Sequence, residues 1–276
     1  MPADAPSLAI VIVTHDSGAE IGDCLESLAG RTEPHPTSVV VVDNDSTDGT
    51  PDLVRRRFPA VQVVETGGNI GFGRANNLGA AKTWSELLLF LNPDTVVPAG
   101  AVQRLIGSLL HHPEAAVAGP RLIDGGGRAE LSFGPPISPW GELKQKALLS
   151  LYNRKVRPAV RYVERLSRSG GERAWVSGAC LLIRRQDWQA VGGFDERFFM
   201  YTEDVDLCTT LRGRGRAIRF APEAEVRHLR GRSAARNPDT QRLRRMSHVA
   251  FYEKHLPQWA GWLRWYLRVT GRGAHG

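Results

Sequence analysis

The chain has little cysteine and no long apolar run, and each shortage excludes something. Its 276 residues hold three cysteines, Cys24, Cys180 and Cys208, too scattered for a metal knuckle. The apolar run Leu8–Val13 spans six residues and Leu87–Leu91 five, against the roughly 20 that a membrane-spanning helix needs. The opening Met1-Pro2-Ala3-Asp4-Ala5-Pro6 has neither a basic nor an apolar stretch, so no secretory signal is expected. With so few cysteines, a reducing cytosol is the expected compartment. Internal repeats and low-complexity tracts are also missing. What is present is 42% apolar and 24% charged composition, which rules out a disordered or fibrous chain. This length suits one large domain, or one domain with an appendage.

Charge is unevenly placed. From Arg227 onward there are eleven Lys/Arg and two acidic residues, a net +9, so the first 226 residues carry −2 of the overall +7. Such a basic block attracts nucleic acid, anionic lipid or a phosphorylated substrate.

The first 120 residues alternate strand and helix. Leu8–Val13 and Val39–Val42 are continuous apolar runs, which suit strands buried on both faces. Further strands are expected at 61–64, 87–91 and 115–118, and helices at 21–28, 75–82 and 98–111. Thr50 is the expected cap and Pro51 the first residue of another helix. The pattern predicts an open, mostly parallel α/β sheet flanked by helices. Asp124-Gly125-Gly126-Gly127 reads as a hairpin turn, and 134–172, rich in Pro, Gly and Arg, as a mobile, partly helical insertion. A strand pair follows at 174–184, a helix at 203–211, a strand at 217–220, and helices from Asp239 to Leu256 and from Pro257 to Thr270.

Chemistry in such sheets sits at the carboxyl ends of the strands. There stand Thr14, His15 and Asp16; Asp43, Asn44 and Asp45; the glycine loop Gly67 to Asn77; and Asn92, Pro93 and Asp94. Taken singly, each could be ordinary turn chemistry; four in succession point to a bound ligand. Gly71-Phe72-Gly73-Arg74-Ala75-Asn76 departs from the dinucleotide fingerprint at Asn76 and follows the third strand, and no phosphate-cradling Lys-Ser/Thr pair exists, so NAD and P-loop chemistry are not expected. The loop still offers backbone amides to a phosphate. Asp94, beside Asn92, suits a divalent ion held mostly by substrate phosphates, or simply caps a turn. Glu203-Asp204-Val205-Asp206 opens a helix behind the apolar Phe198-Phe199-Met200-Tyr201. Part of that is helix capping, but apolar walls also raise a carboxyl pKa, as a general base requires. His228 is a structural histidine or a co-ligand with Asp94.

These segments resemble the family 2 glycosyltransferases, which have the GT-A fold. The likeness rests on Ile10–His15, Val42–Thr50, Asn69–Gly73, Leu91–Asp94, Gly192–Glu196 and Glu203–Leu207, and is greatest to bacterial rhamnosyltransferases that extend lipid-linked glycans. The resemblance implies that Thr14, His15 and Asp43 meet the base and ribose of a nucleotide sugar. Asn69, Gly71, Asn76 and Asn92 are further donor contacts. Asp94 and His228 would hold Mg²⁺ or Mn²⁺; the usual Asp-X-Asp motif begins here with Asn92. Asp204 would be the catalytic base and Glu203 would position the acceptor, in a single inverting displacement.

It implies residues 1–233 as a GT-A catalytic domain, with 1–120 binding the nucleotide sugar and 121–233 the acceptor, and 234–276 as a basic amphipathic helical appendage. On a helical wheel Trp259, Trp262, Leu263, Tyr266 and Thr270 share one side, with Arg264, Arg268 and Arg272 opposite. The expected partners are dTDP-rhamnose, a glycan or polyprenyl-linked acceptor, and the anionic inner face of the plasma membrane, with no nucleic acid; a homodimer stays open. Two alternatives stand: a non-catalytic nucleotide-sugar-binding protein, against which Asp204 speaks, and a nucleic-acid binder working through the basic tail.

Overall fold

The computed structural model describes residues 5–229 and 239–270. Strand β1 (Leu8–Thr14) is buried at every position and lies parallel between β2 (Thr37–Asp43) and β4 (Leu87–Leu91). β2 carries β3 (Gln62–Glu65) on its outer side, also parallel. β10 (Cys180–Arg184) runs antiparallel between β4 and β6 (Ala115–Ile123). β6 pairs in parallel with β11 (Ala217–His228), whose end meets β5 (Thr95–Val96) and whose start meets β8 (Gly171–Arg173). The sheet is mixed but mostly parallel, as expected. A two-stranded ribbon, β7 (Phe133–Gly134) with β9 (Trp175–Val176), lies beside it.

Alternate side chains of β1 feed two cores. Ile10 and Ile12 pack with α1 (Ile21–Leu28), α2 (Thr50–Arg57) and α4 (Ala101–Leu110). Val11 and Val13 pack on the other face with α3 (Phe72–Ala81), α7 (Arg185–Val191) and α8 (Glu203–Gly213). α3 can lie this close because Gly79 has no side chain; a Cβ there would sit 2.4 Å from Val11 Cγ1.

Several expectations need correcting. α2 begins at Thr50 itself with Gly49 at the cap position, and Asp48 Oδ1, one residue earlier, accepts from Thr50 N at 3.0 Å. The strand expected to stop at Phe220 continues to His228, absorbing Pro222 in a register shift between Ala221 and Glu225, as bulges allow. The insertion is a regular hairpin of α5 (Pro139–Asn153) and α6 (Arg157–Arg168). Ser138 caps α5, accepting from Gly141 N at 3.1 Å.

The C-terminal helices are no detached appendage. α9 (Thr240–His255) buries Phe251 and Tyr252 against Phe198 and Val205. Its Lys254 bonds Asp195 and Asp206 at 2.8 and 2.9 Å, and its His255 meets Asp206 at 2.6 Å. α10 (Pro257–Val269) turns Ala260, Leu263 and Leu267 into this same core and leaves Trp259, Trp262 and Trp265 exposed. The expected wheel is thus corrected at Leu263, which faces inward while the tryptophans face out. The 233/234 boundary and Arg272 lie outside the described residues.

Candidate active site

A cavity of about 460 Å³ opens at the carboxyl ends of β1 and β4, walled by the start of α8 and by α9. Of the expected site residues, it brings together Thr14, His15, Asn69, Asn92, Asp94, Glu203, Asp204 and His228. Asp43, Gly71 and Asn76 do not line it. Asp43 stands behind Thr14 across the β1–β2 register, taking the Thr14 hydroxyl at 3.0 Å and Ser46 N at 3.0 Å. Asn76 is buried in α3 and donates to Phe72 O at 3.0 Å, so its amide serves the helix. Gly71, at φ +88°, lets the chain pass Phe199, whose carbonyl accepts from Phe72 N at 2.8 Å.

On the β1–β2 side, His15 is exposed at the cavity mouth with Nδ1 2.9 Å from Asn44 O. A carbonyl only accepts, so Nδ1 carries the proton and Nε2 is left free to accept. The two loops are locked together by Asn44, which donates to Asn69 Oδ1 at 3.0 Å and accepts from Ile70 N at 2.9 Å. Asn69 Oδ1 also takes Gly71 N at 3.1 Å, so this amide oxygen is engaged within the protein.

Asp94 and His228 converge because β5 pairs with the end of β11, setting His228 against Thr95. His228 Nε2 lies 3.2 Å from Asp94 Oδ1, and Nδ1 lies 3.2 Å from Glu130 Oε2. Burial opposes charge on this ring, but hydrogen bonds and attraction from both carboxylates prevail and raise its pKa to about 9. Near neutral pH it is therefore an imidazolium. Among the described residues no cluster of three or more His, Cys, Asp or Glu is arranged to hold a metal. The two-residue pair still fits a divalent ion that takes its remaining ligands from phosphate and water, provided His228 gives up its Nε2 proton.

Glu203 and Asp204 open α8. Asp204 accepts from Gly178 N at 2.7 Å and from Val205 N at 2.8 Å. Burial raises its pKa, and these N–H groups hold back the rise. Glu203 is more deeply enclosed, and its Oε2 has no hydrogen-bond partner among the described residues. Burial lifts it well above the ordinary carboxylate range, and the charges of Asp204 and Asp206 add to the effect. The pair can keep one proton and release the other, the division of labour that acid–base sites use.

Three contributors were not legible as such. Glu130 acts through His228. Gly178 reads only as a strand break, yet its N–H orients Asp204. Arg244 reaches the cavity from α9, a helix whose sequence signals charge and nothing of where it docks.

Residues 5–247 match the profile described as glycosyltransferase like family 2. The chain is 34% identical over 291 residues to the N-acetylglucosaminyl-diphospho-decaprenol L-rhamnosyltransferase of Mycobacterium tuberculosis, covering 95% of this chain and 89% of that protein. It is 24% identical to the rhamnosyltransferase WbbL of Escherichia coli, covering 79% and 82%. In structure it resembles the mannosyltransferase PcManGT of Pyrobaculum calidifontis, solved with GDP-Man and Mn²⁺, at a TM-score of 0.62 and 20% identity, covering 95% of this chain and 69% of that one.

Proposed function

The chain belongs to the family 2 glycosyltransferases, and from that premise we propose that it is an inverting rhamnosyltransferase, taking dTDP-rhamnose as donor and a lipid-diphosphate-linked glycan as acceptor. The observation that carries the catalytic part is the single cavity lined by both the Asp94–His228 pair and Asp204. The sugar and acceptor rest on the likeness to the mycobacterial rhamnosyltransferase.

The donor base and ribose lie along Thr14 and His15. Asp94 and His228 would hold a divalent ion, which when bound would supply positive charge beside the donor diphosphate. Asp204, held by the N–H groups of Gly178 and Val205, takes the proton of the acceptor hydroxyl. The freed oxygen bonds to the anomeric carbon as the bond to the diphosphate breaks, which inverts that centre. Glu203 keeps its proton and donates a hydrogen bond to the acceptor. The test is a panel of nucleotide sugars incubated with a polyprenyl-diphosphate-linked N-acetylglucosamine. Transfer from dTDP-rhamnose with inversion, seen by NMR of the product, is expected; preference for another donor would overturn the rhamnose assignment.

A further inference from the structure

We propose that Arg244 and Tyr201 form a subsite for the phosphate of the acceptor, on the side of the cavity where Asp204 acts. The proposal rests on the lipid-diphosphate acceptor argued above. Arg244 lines the cavity from α9 and makes no ion pair among the described residues. Its guanidinium instead lies over the Tyr201 ring, 4.5 Å from the centroid. Stacking in this way leaves the N–H edge of the guanidinium available to a planar pair of oxygens, the geometry in which Arg grips phosphate.

The surroundings hold this cation in place. Tyr201 and Thr202 both have left-handed backbone, φ 70° and 72°, a conformation non-glycine residues adopt only where the surrounding structure enforces it. Ser247, three residues beyond Arg244, donates to Met200 O at 2.8 Å and ties α9 to this strained loop. The nearby carboxylate Asp204 is already engaged by two backbone N–H groups. The donor diphosphate would have its own partner in the divalent ion that Asp94 and His228 would hold, near the end of β4. An acceptor hydroxyl at Asp204 places its diphosphate close to the same end of α8, where Arg244 supplies the positive charge.

Farnesyl diphosphate, titrated by calorimetry into the full chain saturated with dTDP and Mn²⁺, tests this with the donor subsite filled. Arg244→Gln should weaken its binding at least about tenfold, and Arg244→Lys should recover part of the loss, since charge returns without the fork. Affinity for dTDP and the melting temperature should stay at the unaltered values. Equal farnesyl diphosphate affinity in Arg244→Gln would overturn the subsite. So would a parallel loss of dTDP affinity, which would put Arg244 on the donor phosphates. Transfer by the unaltered chain to a polyprenyl-diphosphate acceptor is read separately; its absence would sink the acceptor reading of the preceding section, and the two failures are distinguishable.

Discussion

Asp204 and His228 show how neighbours set what a single side chain can do. Asp204→Asn keeps the shape but cannot take a proton, and its single amide oxygen can accept from only one of the Gly178 and Val205 N–H groups. Transfer should fall at least about 10²-fold, the usual scale of general-base catalysis, while donor binding by calorimetry is preserved. Because burial raises the Asp204 pKa, turnover should climb with pH through that raised value, and this limb should vanish in the variant. His228 makes the opposite kind of demand. Its pKa is near 6.5 in the unfolded chain and about 9 here, so the metal-free fold binds an extra proton between those values. The stabilisation is complete below about pH 6.5 and is lost as pH rises through 9, on the order of 3 kcal/mol in all. Urea unfolding of the metal-free protein at pH 6 and pH 9.5 should show that decline, and His228→Gln should abolish it. A decline that persists unchanged in the variant would mean another group carries it.

Elements bring these residues together, and here sequence and structure part company in instructive places. The strands β1, β2 and β4 are legible because a strand buried on both faces must be apolar throughout, and the polar residues just past their ends then mark the cavity. Asp94 is legible for the same reason, and Asp204 because it opens a helix directly behind the apolar Phe198–Tyr201 segment. His228 reaches Asp94 only because β11 runs on through Pro222 by a register shift, which local pattern gives no means to foresee. α9 is basic along its length, and nothing local says that Lys254 and His255 will close on the buried Asp206 at the foot of α8. The role of Gly71 is likewise tertiary. A Cβ there would lie 2.5 Å from Phe199 O, on a backbone at φ +88°. Gly71→Ala should therefore destabilise the protein by roughly 1–3 kcal/mol and depress transfer by displacing the Phe199–Thr202 loop that leads into Glu203. Gly68→Ala, with no atom within 4 Å of the added carbon, should leave denaturant midpoint and turnover close to the unaltered values. Equal effects at both sites would show that the loop tolerates the displacement.

At the scale of the whole molecule, charge and exposed aromatic surface gather at the C-terminal end. No helix among the described residues is long and apolar enough to cross a membrane. α10 instead presents Trp259, Trp262 and Trp265 outward, 39%, 44% and 61% exposed, with Trp262 stacked on Tyr266 at 5.5 Å and the exposed Arg264 and Arg268 alongside. Indole rings with arginines on a helix lying flat suit the headgroup region of an anionic bilayer, where a lipid-linked acceptor would be met, and we propose that this face rests there. Cutting the chain before α10 cannot test the idea cleanly, because Ala260, Leu263 and Leu267 belong to the core that also holds Phe198 and Val205. Replacing the three tryptophans by Gln spares that core. Flotation with phosphatidylglycerol-containing liposomes should fall at least about tenfold in the triple variant, while melting temperature and hydrolysis of the donor in solution are kept. Raising salt should weaken the unaltered protein's binding in the same assay, since each basic residue near an anionic surface adds about 1 kcal/mol that ions screen. Flotation that survives both treatments would place the membrane contact elsewhere on the molecule, and a large fall in melting temperature would make the tryptophans part of the fold rather than its docking face.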